Sequence, residues 1–293
     1  MDDSSQCRLF CTPKVELLND MGSSANVLFL AGIMFLAPAA GEIIFDHNFD
    51  NETLHTYTAK DLKTTWDSRD GIKAGAIKIV KDPDPSGSRG KVMRVLQAAN
   101  SIQTHNGGAG WRTKIGSYDE LYLAYDVYFE GDAEFVLGGK LPALGIRDYY
   151  SSAGTPPDGT DRWTGGLMWT KRGKVTSYIY HANQPGRYGE QFGWYGLDGT
   201  KLRFQKGKWN RIEIYYKMNT PGVLDGRLKG WFNGVLALDT DQIMYRMPGG
   251  EHLTIGGLAI KNYYGGGDLS WAPTTDQYIY FDNFVVSTQP ITH

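Results

Sequence analysis

From about Glu42 onward the sequence is a succession of short segments rich in β-branched and aromatic residues, cut apart by turn residues. IIFDHNF, AIKIV, KVMRVLQA, LYLAYDVYF, KVTSYIYH, RIEIYYKM, LKGWFNGVLAL, HLTIGGLAI and YIYFDNFVV are these segments, and many alternate apolar with polar residues. Such alternation sends one set of side chains to a buried face and the other to a wet one. Asp82-Pro83-Asp84-Pro85-Ser86-Gly87, Thr155-Pro156-Pro157-Asp158-Gly159, Asn219-Thr220-Pro221-Gly222 and Asn233-Gly234 supply turns. No long amphipathic helix, repeat or linker interrupts them. Strands joined by turns, with no helices to cross between them, pair antiparallel. The expected fold is all-β: one antiparallel β-sandwich of jelly-roll type over residues 41–293.

Residues 1–40 read as targeting and not as fold. NVLFLAGIMFLAPA (26–39) is too short for a comfortable membrane span and ends in the small residues Ala37-Pro38-Ala39-Ala40-Gly41, which resemble a cleavage site. Glu16 and Asp20 are acidic where such a signal wants positive charge, and a start at Met21 would remove them. Secretion is the expectation, and the alternative is a single N-terminal anchor helix. Cys7 and Cys11 both precede the apolar run, so the mature chain would hold no disulfide and no cysteine-ligated zinc. A formal net charge of -2 gives no global reason to expect nucleic acid.

Chemistry is narrowed by elimination. The chain has no Gly-x-Ser-x-Gly elbow, no phosphate-loop lysine and no histidine pair at zinc-helix spacing. No carboxylates cluster with calcium-loop spacing, so no metal and no cofactor are expected. Asp126 and Glu130 flank an apolar stretch without an acid between them, and Glu213 stands alone, so the paired carboxylates of a glycosidase are missing; these acids read as edge or solvent-face groups. What remains is Lys140, set in FVLGGKLPALG, and the pair Tyr178 and Tyr180 in TSYIYH. Residues two apart on a strand share a face, so both tyrosines point the same way. HANQPGRYG follows like a loop at a groove rim. Residues 171–211 carry nine Lys and Arg against Glu190 and Asp198, a run able to focus positive potential on one groove.

These pieces, in order, resemble polysaccharide lyase family 14. Gly138-Gly139-Lys140-Leu141-Pro142 is similar to the family's GGKLPG, and Leu167-Met168-Trp169 to its LMW, at the family's interval from Tyr-x-Tyr. Leu202-Arg203-Phe204-Gln205 with Gly207 and Trp209, and Tyr264-Gly265-Gly266-Gly267-Asp268 with Trp271-Ala272-Pro273, resemble two further family stretches. The resemblance runs through most of the mature chain. It implies a jelly-roll sandwich with a substrate cleft across a concave sheet, and a monomer acting on an anionic polysaccharide, alginate or a related polyuronate such as glucuronan.

The implied reaction is β-elimination. The C6 carboxylate is neutralised, the C5 proton removed and the leaving O4 protonated. Lys140 suits the first or second task, with the flanking glycines letting the backbone approach a sugar and Pro142 stiffening the return. Tyr178 and Tyr180 suit proton transfer, and a nearby lysine would make a tyrosine ionise more readily. One departure matters. The family carries Ser-x-Arg before LMW and an arginine after it; here Thr164 keeps a hydroxyl, but Gly166 and Thr170 replace the arginines. Arg162, Arg172 or Arg187 is then expected to grip the carboxylate, or the substrate differs, or only binding remains. Arg112, beside Trp111 in GGAGWRTK, resembles a family stretch on the strand before the cleft. Trp169 as a stacking surface, and His181 and Gln184 as hydroxyl partners, complete the expected substrate contacts. The competing classes are a carbohydrate-binding jelly-roll module and, more remotely, a sandwich glycoside hydrolase.

Overall fold

The computed structural model describes residues 41–68, 75–87, 89–148 and 154–291. The targeting segment read from the sequence lies outside these. Sixteen strands form among the described residues: β1 (Ile43–His47), β2 (His55–Thr56), β3 (Ile77–Lys81), β4 (Lys91–Gln97), β5 (Ala109–Tyr118), β6 (Glu120–Phe129), β7 (Gly138–Leu141), β8 (Ala143–Gly145), β9 (Leu167–Thr170), β10 (Lys174–Ile179), β11 (Glu190–Gly193), β12 (Lys208–Lys217), β13 (Gly226–Phe232), β14 (Val235–Ile243), β15 (Ile255–Tyr264) and β16 (Gln277–Ser287). Their pairing is antiparallel and builds two sheets. The larger runs β14-β13-β12-β6-β16-β4-β3-β2 with β1 on β16; the smaller runs β11-β10-β9-β7-β15-β5 with β8 on β15. The all-β sandwich expected from the alternation is the fold that forms. One α-helix, α1 (Ala59–Trp66), starts on a Thr58/Asp61 capping box and buries Leu62 and Trp66.

The period-2 pattern explains which side faces in. Along β6, Leu121, Leu123, Tyr125, Val127 and Phe129 point into the core with Ile212, Ile214 and Tyr216 of β12. Leu141, Leu167, Trp169, Val175, Ile179, Leu258, Ile260 and Tyr264 meet them from the smaller sheet. Phe129 and Trp169 close the gap edge to face, centroids 5.6 Å apart.

The alternate residues of β6 and β12 point away from the core, and here the expectation of solvent-face carboxylates is corrected. Asp126 and Glu213 are buried. Asp126 is held by Arg89 at 2.6 Å, Glu213 accepts from the Ile291 amide at 3.2 Å, and Glu130 accepts from Tyr280 at 2.6 Å. Buried carboxylates need partners, and these have them.

Candidate active site

The short strand β7 carries Lys140, and its two glycines exist because of Trp169. A Cβ on Gly138 would lie 2.7 Å from the Trp169 carbonyl, and one on Gly139 would lie 2.0 Å from the indole ring. Gly138 also takes φ 150°, where a side chain is strained. The glycines therefore let β7 close on the core tryptophan, a packing reason for them that the sequence alone does not show. Trp169 itself is fully buried, its Nε1 donating to the Phe135 carbonyl at 3.2 Å, with its ring edge-on to Tyr264. It is a core residue and not a stacking surface for substrate.

Alternation then sends Lys140 to the opposite, outer face. Register places Tyr263 of β15, Lys140 of β7, Met168 of β9 and Thr176 of β10 in one cross-strand row. Two and four residues beyond Thr176, on the same face, come Tyr178 and Tyr180. Lys140 Nζ lies 3.1 Å from Met168 Sδ and 3.8 Å from the centroid of the Tyr178 ring. The Tyr178 and Tyr180 hydroxyls share a hydrogen bond of 3.2 Å, their rings nearly perpendicular at 5.4 Å. The Gly154 amide donates to the Tyr180 hydroxyl at 3.2 Å. So the lysine and both tyrosines, 38 and 40 positions apart in the chain, form one contiguous cluster.

Burial sets the protonation states. Lys140 is only partly exposed, and desolvation, helped by the positive charge of Lys261, brings its amine down to about 7. Lys261 is brought down to about 8 by desolvation and by Arg112. Burial, then the hydrogen bond with Tyr180, raises the Tyr178 hydroxyl well above its ordinary value. The expectation that a neighbouring lysine would ionise a tyrosine is thus reversed. The amine faces the ring and not the oxygen, and loss of solvent dominates. Tyr263, opposite Lys140, is likewise raised by burial.

The remaining candidates divide. Arg112 lies on the outer face of β5, buried, with Nη1 donating to the Ile146 carbonyl. Thr164 is bridged to Tyr180 by backbone hydrogen bonds in both directions, which puts its side chain on the tyrosine face. His181 is buried, with Nδ1 2.6 Å from Asn183 Oδ1 and Nε2 2.9 Å from Glu190 Oε2. Gln184 donates to the Gly186 and Tyr188 carbonyls. These two residues hold the loop together instead of offering free groups to a sugar. Arg187 donates to the Gly154 carbonyl at 3.0 Å, and so braces the residue whose amide holds Tyr180. Arg162 pairs with Asp161 and donates to the Thr155 carbonyl. Arg172 lines a separate pocket with Lys171, Arg203 and Lys206, so four cations of the basic 171–211 run gather there and not at the lysine–tyrosine cluster.

Three residues of the cluster carried no expected role: Met168, Tyr263 and Lys261. The signal for the last two was in IKNYY, where Lys261 and Tyr263 alternate with Asn262 and Tyr264. Asn262 and Tyr264 go to the core side; Asn262 donates to the Lys140 carbonyl at 3.3 Å and accepts from Gln97.

The family model for polysaccharide lyase 14 matches residues 85–284, well over half of the chain. Among solved structures, an Aly36B alginate lyase variant with a lysine and a tyrosine replaced by alanine, in complex with alginate tetrasaccharide, is 25% identical. It covers 85% of this chain and 98% of its own, with a TM-score of 0.71. A second Aly36B variant, with a lysine and a methionine replaced by alanine and alginate trisaccharide bound, matches with the same identity, coverage and TM-score. The PL-14 alginate lyase from Aplysia kurodai shares the fold at 22% identity and a TM-score of 0.66, covering 84% of this chain and 98% of its own. No curated protein sequence matches the chain. On the extent of the family match, joined to a lysine–tyrosine cluster on one sheet face, the chain belongs to polysaccharide lyase family 14.

Proposed function

We propose that this polysaccharide lyase cleaves a polyuronate by β-elimination, with Lys140 as the base and Tyr178 as the acid. The observation that carries the reading is the contact of Lys140 with Tyr178: an amine brought down to about 7 stands 3.8 Å from the ring of a phenol that holds its proton. A base with a value near working pH is both available and strong enough to act. In the reaction the C5–H bond breaks and its proton goes to Lys140 Nζ. The freed electron pair becomes the C4=C5 double bond as the C4–O4 bond breaks, and the Tyr178 proton goes to O4. No water is consumed. Tyr180, fixed by Gly154, orients Tyr178.

The substrate class rests on similarity. The Aly36B complexes hold alginate oligosaccharides after loss of a lysine with a tyrosine or a methionine. A lysine, a tyrosine and a methionine also meet here, as Lys140, Tyr178 and Met168. Export of the protein is part of the same proposal, supported by the apolar run at 26–39 and by the exclusion of both cysteines from the rest of the chain. Hydrolysis by paired acids has no support in Asp126, Glu130 or Glu213, which are hydrogen-bonded or ion-paired on the far face of the other sheet.

The test is to incubate the protein with polymannuronate, polyguluronate and glucuronan and follow ultraviolet absorbance of the unsaturated product. A rise that Lys140→Ala abolishes supports elimination. New reducing ends without absorbance would overturn it, and polymer retention with neither signal would make the protein a binding module.

A further inference from the structure

Elimination requires the C6 carboxylate to be neutralised by a cation or by strong hydrogen-bond donors, and the outer face of the smaller sheet has a cation that the family resemblance did not indicate. Gly166 does not merely lack a side chain: a Cβ there would lie 2.7 Å from the Tyr178 carbonyl, so the backbone itself closes the position. The register shows what the same face offers instead. Lys261 is two residues from Tyr263, which pairs with Lys140, so Lys261 is the diagonal neighbour of Lys140, at about 7–8 Å. Arg112 pairs with Ala259 and is in turn diagonal to Lys261.

Each of these cations faces a residue that leaves room for it. Lys261 is opposite Gly110, Arg112 opposite Ala259, and Lys114 opposite Gly257. The Arg112 stem lies over Gly257, where a Cβ would fall 2.7 Å from Arg112 Cδ. The outward positions of β5, β15, β7, β9 and β10 in this register include Arg112, Lys114, Lys261, Lys140 and Lys174 and no carboxylate among the described residues. Asp148 is the acid that reaches Lys114, at 3.5 Å, and it is exposed at the edge. A face of one sign concentrates anions.

We propose that Lys261, backed by Arg112, binds the carboxylate of the uronate ring whose C5 proton Lys140 removes, doing here what Gly166 cannot. The carboxylate carbon is bonded to C5, so the base and the carboxylate's cation must stand about 5–6 Å apart, each at hydrogen-bond reach. Diagonal neighbours on a sheet meet that spacing with their flexible stems. The two amines are also unlike: Lys261, down to about 8, keeps more of its proton at neutral pH than Lys140, at about 7. One is suited to hold an anion and the other to accept a proton. This inference rests on the polyuronate reading above.

The experiment measures binding without turnover. In the Lys140→Ala protein, the affinity for mannuronate, guluronate and glucuronate tetrasaccharides is determined by calorimetry, with the carboxyl-reduced neutral tetrasaccharides as controls. Lys261→Met is expected to weaken binding of the preferred acidic tetrasaccharide tenfold or more and leave the neutral one unchanged. Lys261→Arg is expected to stay within threefold of the parent. Lys261→Gln repeats the test if the melting curve of Lys261→Met shows loss of folding. Binding of the acid within threefold of the parent in Lys261→Met, or equal losses for acid and neutral sugars, overturns the role of Lys261 alone. A parent that binds no acidic tetrasaccharide overturns the polyuronate reading and this inference with it.

Discussion

Lys140 meets Tyr178 at its ring face and not at its hydroxyl: Nζ stands 3.8 Å from the ring centroid, while the phenolic oxygen is engaged by Tyr180 at 3.2 Å. Ring and hydroxyl therefore have separable roles. Tyr178→Phe keeps the surface on which the amine rests and loses the proton for O4. Its kcat is expected to fall about 100-fold or more, with KM changed little. Tyr178→Ala removes both and is expected to raise KM as well. Steady-state kinetics on the two variants decide this, and a Tyr178→Phe enzyme with near-normal kcat would remove the acid role.

The pH dependence follows from the two lysines. Lys140 must be neutral to take a proton, so kcat/KM is expected to rise through about pH 7. Lys261 must be charged to hold the carboxylate, so kcat/KM is expected to fall through about pH 8. The groups around Lys261 on this face are Lys140, its diagonal neighbour on β7, Arg112, its diagonal neighbour on β5, and Tyr263, two residues along its own strand, so the two lysines titrate in each other's field. Lys261→Arg keeps its charge and is expected to lose the falling limb. A pH–rate profile that is flat between 6 and 9 would contradict both assignments.

Lys140 also links stability to pH. Its amine titrates at about 7 in the folded chain against the ordinary 10.5 of an exposed lysine. Between those values the unfolded chain binds a proton that the folded chain does not, so stability rises with pH across that window. The destabilisation is complete below about pH 7 and absent above 10.5. Lys140→Met, which has no such proton, is expected to be more stable than the parent at pH 7, with the difference shrinking towards pH 10. Urea unfolding of both proteins at several pH values measures it.

Gly139→Ala tests why the glycines precede the lysine. The new Cβ would lie 2.0 Å from the Trp169 ring and 2.6 Å from the Tyr263 carbonyl. Overpacking of this kind typically costs about 1–3 kcal/mol. A lower melting temperature is expected, with a changed tryptophan fluorescence and reduced kcat as β7 shifts. An unaffected melting temperature would show that β7 does not pack as described.

Gly166→Arg restores the family's residue type but not its space. Its Cβ would lie 2.7 Å from the Tyr178 carbonyl, which is backbone. The substitution is expected to lower both stability and activity. A gain in activity on any polyuronate would show that Gly166, and not Lys261, limits carboxylate binding.

Much of the fold was legible because its cause is local. β-Branched and aromatic residues at a period of two, broken by Pro, Gly, Asn and Asp, specify strands and turns wherever they occur. The longer strands β6, β12, β15 and β16 are visible in that pattern. The same period places Tyr178 and Tyr180 on one face before any partner is known. The pieces that the sequence hid are short or weakly patterned: β7 is GGKL, β8 is ALG and β9 is LMWT. Their alternation is too brief to read, and the two glycines of β7 answer to Trp169, about 30 residues away.

What the sequence by itself determined is therefore the strand-and-turn class of the chain, the residue types available for proton transfer, and the shared face of the two tyrosines. Only the tertiary structure decided the strand order that sets β7 between β9 and β15, bringing Lys140 beside Met168 and opposite Tyr263, with Lys261 one diagonal away. Local periodicity carries no information about which strand pairs with another more than a hundred residues distant. Burial also follows from that pairing, and burial is what lowers the lysines and raises Tyr178. The chemical character of the site is a property of the assembled sheet.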